Sequence, residues 1–299
     1  MGMRDNNRMC RLFGFKSVLD SQVHRSLIEA DNALADQSTK HPDGWGVAYY
    51  RENIPHVIKS TDTAIDDHIF HKVSGVVSSK TVLAHIRKAT QGQNSLINCH
   101  PFQYGRWVFA HNGNLKNFAD YKQNLLSQVS DRLKPFILGT TDSELIFYLL
   151  LTEIEKHHPL GEANVPMDAL AEATQNFLNI VTKYTGPLYG GRESHPEESH
   201  LTFILTTGDT LVGFNGGQHI KYSTHKSVCP DRDTCPHFQT NCESPSLSGA
   251  KINHLILSSE KHEGENIWTD FNLGELVGVN QHMELTKKQL TVPFIIQLS

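Results

Sequence analysis

MCRLFGF, residues 9–15, sets a cysteine directly ahead of a short apolar run that reads as a β-strand. Upstream, the first nine residues are polar and patternless. Downstream, Val18, Val23, Leu27, Ala30 and Leu34 recur at helical spacing, which predicts an amphipathic helix over 18–34. HPDGWGVAYY (41–50) begins as a turn and becomes a strand, with Gly44 and Gly46 permitting close backbone approach. TVLAHIRK (81–88) and RWVFAHNG (106–113) are rich in β-branched and aromatic residues and read as strands. Thr141 and Glu144 have capping-box spacing ahead of LIFYLLLTEI, so a helix starts there. A second helix is predicted from Met167 to Tyr184, closed by Gly186. LTFILTTG and TLVGFNG form a hairpin around Gly208 and Asp209, and HLILSSE, LGELVGVN and HMELTKK continue the strand pattern. Residues 190–200 and 227–249 look irregular. The pattern as a whole predicts two or more helices packed on two largely antiparallel sheets, a layered sandwich within one elaborated domain.

Composition narrows the function classes. The chain has 299 residues, 38% hydrophobic and 20% charged, which is ordinary for a globular protein. A net charge of -5 and the lack of any Lys/Arg run argue against a nucleic-acid or membrane-surface partner. The longest apolar stretch, Leu145 to Leu151, is far short of the roughly 20 residues a bilayer span needs. The N-terminal residues lack the apolar core of a signal peptide, so a cytoplasmic location is expected. Five cysteines, an odd number, suggest free thiols or a site more than a disulfide framework. Cys229, Cys235, His237 and Cys242 follow C-x5-C-x-H-x4-C, which is no familiar zinc spacing and reads as an irregular surface loop.

Six segments carry the chemistry: MCRLFGF, HPDGWGVAYY, AHIRKATQG, NCHPF, FAHNGNL and TTDSE. Each is weak alone, and the ordered set is specific. It resembles the glutaminase domain of class II glutamine amidotransferases, members of the N-terminal nucleophile hydrolases. Within them it is most similar to the stand-alone branch of YafJ-type proteins and the ergothioneine-pathway γ-glutamyl hydrolase. The resemblance runs over nearly all of 10–299, and SSEKHEGENIW (258–268) is similar to that branch's SEP…W segment, with Lys261 and His262 as departures.

The resemblance implies an α+β fold, a four-layer αββα sandwich, and cleavage of a γ-glutamyl amide with no cofactor or metal. Cys10 would be the nucleophile. Its own α-amine, with a pKa of roughly 7.7–8.0, would be the base if Cys10 were the first residue. Asn112 and Gly113 match the oxyanion-holding pair. Arg87 matches the carboxylate-binding Arg, suited to a bidentate grip. Asp142 matches the partner of the substrate α-ammonium, and Thr90 matches a threonine that lines the glutamate pocket in relatives. The substrate would be glutamine or a γ-glutamyl conjugate with an unblocked glutamate end. The alternative is an ammonia-supplying glutaminase subunit that serves a separate synthase polypeptide. Lys88 and Gln91 stand where synthase-coupled relatives carry Trp and His, which weighs against that alternative.

Each residue also has a plainer reading. Cys10 could be a packed thiol, Arg87 half of a structural ion pair, Asp142 a helix-terminus charge, and Asn112–Gly113 a type I′ turn. Nine residues precede Cys10. Either translation starts at Met9, which is then removed, or 1–9 is a propeptide; if the extension stays, the amine base is lost.

Overall fold

The computed structural model describes residues 10–22, 43–87, 94–191, 195, 197–262 and 264–296, apart from the side chains of residues 74 and 76. Two antiparallel sheets lie face to face. The first has seven strands in the order β12 (Thr269–Asp270), β10 (Lys221–Ser223), β11 (His254–Ser258), β1 (Arg11–Gln22), β4 (Ser78–Ile86), β2 (Trp45–Arg51) and β3 (Ile54–Ser60). The second has six, in the order β14 (Leu285–Gln289), β13 (Glu275–Val279), β9 (Leu211–Phe214), β8 (His200–Thr206), β6 (Trp107–Asn114) and β5 (Phe102–Tyr104). A small parallel pair joins β7 (Leu188–Tyr189) to β15 (Phe294–Ile295).

Strand periodicity sorts the side chains into three cores. Leu12, Ala48 and Leu83 of the first sheet meet Val108, Ala110, Ile204 and Leu211 of the second in the central layer. Phe13, Phe15, Trp45 and Ile86 point out of the other face of the first sheet, onto Phe70 and Val73 of α1 (His68–Val76). Trp107, Phe109 and Phe203 leave the outer face of the second sheet and pack against α2 (Phe118–Gln128), α3 (Asp142–Glu155) and α4 (Met167–Thr185). The layers therefore run helix, sheet, sheet, helix, as the family resemblance implies.

α3 is buried from Asp142 through Ile154. Its run 145–151 is apolar on every side and has to be covered on every side, and the second sheet and the two flanking helices do this. Its capping box is only half made. Thr141 accepts from the Glu144 amide at 3.2 Å, but the Glu144 carboxylate turns away to accept from Leu138 N at 3.0 Å and Gly139 N at 2.6 Å. α4 runs one residue past the predicted end and stops at Gly186, whose φ of +73° suits glycine.

One expected element is corrected. Residues 18–22 belong to β1, with Ser21 and Gln22 opposite Ser79 and Ser78 after an irregularity beyond Lys16. Val18 donates to Asn253 O at 3.0 Å. Ladder partners on both sides outweigh a helical spacing whose remainder, 23–34, lies outside the described residues. The hairpin of β8 and β9 forms as read, turning through Gly208 at φ +85°. In 227–249, Glu243 organises the chain by accepting from Cys229 N at 2.7 Å and pairing with Arg232 at 3.2 Å.

The motif glycines are required by packing. A Cβ on Gly46 would stand 2.1 Å from His100 O and 2.7 Å from Pro101 Cδ. Backbone cannot yield as a side chain can, so Gly46→Ala should cost about 1–3 kcal/mol through overpacking. Urea unfolding should show a lower midpoint with an unchanged slope.

Candidate active site

The alternation that builds the central layer also decides which side chains meet at its end. On β1, Leu12 faces the second sheet, and Gly14 lets Ile204 approach to 3.1 Å of where a Cβ would stand. Cys10 shares their parity, one residue before the strand. On β4, Leu83 faces the same layer, and Arg87 shares its parity one residue past the strand. On β6, Val108 and Ala110 face the first sheet, and so by parity does Asn112. The register pairs Arg11 with Ile86, so one step further sets Cys10 opposite Arg87. Cys10, Arg87 and Asn112 therefore come to one end of the space between the sheets, from three strands far apart in sequence. Cys10 is half-buried and forms no disulfide with any described residue.

Two motifs without assigned chemistry hold Arg87. Its amide donates to Gly44 O at 2.8 Å, which ties the end of β4 to HPDGWG. Gly44, at φ +110°, passes so near the NCHPF loop that a Cβ would lie 3.1 Å from Cys99 Sγ. Trp45 anchors the segment by donating from Nε1 to Asp67 at 3.0 Å. The Arg87 side chain is buried and donates to Asn94 Oδ1 at 3.5 Å. Thr90, Lys88, Gln91 and His41 lie outside the described residues.

Asn112 and Gly113 are not a turn. They lie in β6 opposite Thr202 and Leu201 of β8. A Cβ on Gly113 would stand 2.2 Å from His200 O, so only glycine fits there. Asn112 is 3% exposed, and its Oδ1 has no hydrogen-bond partner among the described residues. An unmet amide oxygen beside a cavity is one that water or ligand satisfies. Asp142 is bound to the same strand end. Its Oδ2 accepts from Leu115 N at 2.7 Å, and its Oδ1 accepts from Ser143 N at 2.7 Å and Ser143 Oγ at 3.3 Å. A carboxylate offers about four acceptor positions, so one remains for an ammonium group. Asp142 thus joins the α3 N-terminus to β6 as well as being the ammonium-binding candidate.

Buried imidazoles brace these elements. His111 bridges Ser143 Oγ at 2.9 Å and His200 O at 3.1 Å. His85 and His100 lie with ring centroids 4.2 Å apart. Burial is the first cause that holds both His100 and His111 below the ordinary imidazole range, with neighbouring His85 adding to it at His100. Lys59 donates to Cys99 O at 2.7 Å, and burial lowers its amine to about 8. Burial raises the Cys99 thiol, which suits a packing role more than a nucleophilic one.

A cavity of about 240 Å³ opens beside Asn112, lined also by Arg11, Gln218, His219, Lys221, Ser259 and Glu260. Sequence reasoning missed these residues. Lys221 and Glu260 are more than 200 positions from Cys10 and join it only through strand pairing. The SSEKHE segment gave one clue. Ser259 Oγ accepts from Leu12 N at 3.1 Å, and Glu260 pairs with Arg11 at 3.2 Å. Its departure residue His262 is buried, 2.9 Å from Ser258 Oγ and edge-on to Phe13. Among the described residues no group of three or more His, Cys, Asp or Glu is placed to hold a metal. Cys242 Sγ instead accepts from Asn253 Nδ2 at 3.0 Å.

The family profile described as "Glutamine amidotransferases class-II" matches residues 9–288, which include every one of these site positions. The chain belongs to this family. Probable glutamine amidotransferase DUG3 of Saccharomyces cerevisiae is 32% identical over 227 residues, 68% of this chain and 62% of that protein. γ-Glutamyl-hercynylcysteine sulfoxide hydrolase of Mycobacterium tuberculosis is 33% identical over 117 residues, 35% of this chain and 49% of that one. The chain thus spans less than two thirds of the length of either relative. In fold it is similar to the glutamine aminotransferase class-II domain protein of Silicibacter pomeroyi, with a TM-score of 0.60 at 20% identity, covering 94% of this chain and all of that one. It is also similar to glutamine phosphoribosylpyrophosphate amidotransferase of B. subtilis, with a TM-score of 0.58 at 16% identity, covering 96% of this chain and 51% of that one. Among the described residues of this family member no helix is long and apolar enough to cross a membrane.

The buried histidines set an acid limit. Burial lowers His200 and His254 to about 4, against an ordinary 6.5. As pH falls below about 6.5 the unfolded chain takes up protons that these two groups refuse, so their contribution is complete above that value and is lost progressively toward 4. Thermal melts should show a midpoint that falls as pH drops from 7 to 5. Replacing His254 with a neutral isostere should flatten part of that fall.

Proposed function

We propose that this amidotransferase-family chain hydrolyses a γ-glutamyl amide bond, with Cys10 as nucleophile. The observation that carries the reading is the convergence of Cys10, Arg87 and Asn112 at one end of the intersheet layer, with Asp142 bonded to Leu115, the residue that follows the strand bearing Asn112. Arg87 would grip the substrate α-carboxylate and Asp142 its α-ammonium, so the enzyme would read a free glutamate head. The Cys10 thiolate would then attack the γ-carbonyl. The Asn112 amide and the Gly113 N–H would hold the oxyanion, and the leaving amine would depart from a γ-glutamyl thioester that water hydrolyses. Thr90 would complete the glutamate pocket.

In this reading the base is the Cys10 α-amine, so the active form begins at Cys10. Start at Met9 followed by its removal, or cleavage of 1–9 as a propeptide, would each produce it. Intact mass of the protein expressed from its native frame tests this directly. A mass beginning at Cys10 supports the mechanism, and a mass retaining residues 1–9 in a form that still hydrolyses glutamine refutes the amine base. With Cys10 exposed, Cys10→Ala should abolish release of glutamate. Asn112→Ala should lower kcat by about 10²–10³, the usual loss for one oxyanion donor. Cys10→Ala protein that matched the parent in activity would defeat the assignment.

A further inference from the structure

Two acceptors compete for one hydrogen beside Asp142. His111, next to Asn112 on β6, sets its Nε2 3.1 Å from His200 O and its Nδ1 2.9 Å from Ser143 Oγ. The same Ser143 Oγ lies 3.3 Å from Asp142 Oδ1. A carbonyl oxygen only accepts, so Nε2 carries the hydrogen of that contact. Burial holds His111 below the ordinary imidazole range, against the opposing pull of Asp142 and of the His200 carbonyl, and so keeps the ring neutral. His100 and His200, whose own titration feels this ring, are also kept neutral by burial. A neutral imidazole has a single N–H, so Nδ1 is an acceptor. Among the described residues, the hydrogen that reaches it is that of the Ser143 hydroxyl. A hydroxyl has one hydrogen, and the shorter of its two contacts is the one to His111.

We propose that His111 is a positioning residue for substrate binding: by holding the Ser143 hydrogen it leaves the Asp142 carboxylate open to the substrate α-ammonium. The inference rests on the hydrolase reading above and adds to it a residue that acts through another. With the hydroxyl turned to His111, Asp142 keeps Leu115 N and Ser143 N as donors, each at 2.7 Å. A carboxylate has about four acceptor positions, so two stay open instead of the one left when the hydroxyl donates to Oδ1. An ammonium with three donors can use both. Without an acceptor at Nδ1, the hydroxyl turns onto Asp142 Oδ1 and fills one of them. The incoming ammonium then loses a charge-assisted hydrogen bond.

Glutamine and glutaramate, which is glutamine without its α-amine, separate this role from a structural one. Both are assayed with protein whose mass shows Cys10 exposed. His111→Phe keeps a ring beside Phe109 and removes the acceptor. It should lower the kcat/KM preference for glutamine over glutaramate by about tenfold, the worth of one hydrogen bond to a charged group. Adding Ser143→Ala to His111→Phe removes the competing hydroxyl and should return most of that preference, and His111→Asn, which can offer an oxygen near the Nδ1 position, should keep part of it. A merely structural His111 would lower both substrates alike, and the second substitution would only add damage. An unchanged preference in His111→Phe, or no recovery in the double variant, would overturn the inference and leave the hydrolase reading intact. Failure of the unsubstituted protein to hydrolyse glutamine would count against the hydrolase reading instead. Imidazole nitrogen NMR shifts of the unsubstituted protein at neutral pH need no variant to fold. They should show His111 protonated at Nε2 and bare at Nδ1, and a hydrogen on Nδ1 would overturn the inference.

Discussion

The central position of β1, hydrogen-bonded to β4 on one edge and β11 on the other, is the constraint on which the rest of the molecule depends. A strand with neighbours on both edges and a packed layer on both faces has no room for irregularity at its start. Leu12, Phe13 and Phe15 are buried there, and Gly14 admits Ile204 from the opposing sheet. Cys10 is thereby held at a fixed height in the sandwich. Ser259 reinforces the position from β11, because its hydroxyl takes the Leu12 amide and its own amide returns to Leu12 O.

The loops around the candidate site are held by contacts that tolerate no added volume. NCHPF lies against HPDGWG because Gly44 and Gly46 have no side chain, and Gly113 passes His200 for the same reason. Asn98 extends this arrangement toward α3 by accepting from Thr140 N at 3.0 Å, just before Asp142. Glu144 fixes the preceding turn through Leu138 and Gly139. The proposed grip on both ends of an amino-acid head needs its two charged groups at a set separation, and these contacts join the strand end bearing Arg87 to the helix start bearing Asp142.

Charge at the site end is handled by burial and pairing. The histidines there are kept neutral, so they brace the fold without adding positive charge beside a proposed thiolate. Arg11 and Lys221 each have a carboxylate partner, which lowers the cost of holding cations beside a cavity.

Much of the architecture was legible in the sequence because it depends on local pattern. Alternation in RWVFAHNG, the Thr141 cap and the Gly186 stop each act within a few residues, and the corresponding elements form where those signals lie. The six ordered motifs likewise named the family, because chemistry-bearing residues lie within short segments of fixed wording. Long-range pairing decided the rest. Residues 18–22 join a strand despite helical spacing, since ladder partners 58 positions away, such as Ser79 for Ser21, outweigh local preference. Glu144 abandons its capping partner for two loop amides. The cavity wall of Arg11, Lys221 and Glu260 has no sequence signature, because residues more than 200 positions apart become neighbours only when β10, β11 and β1 pair. The sequence by itself determined the periodicities and the reactive groups; the tertiary structure alone decided which groups share a space, because register across a sheet depends on the whole packed layer.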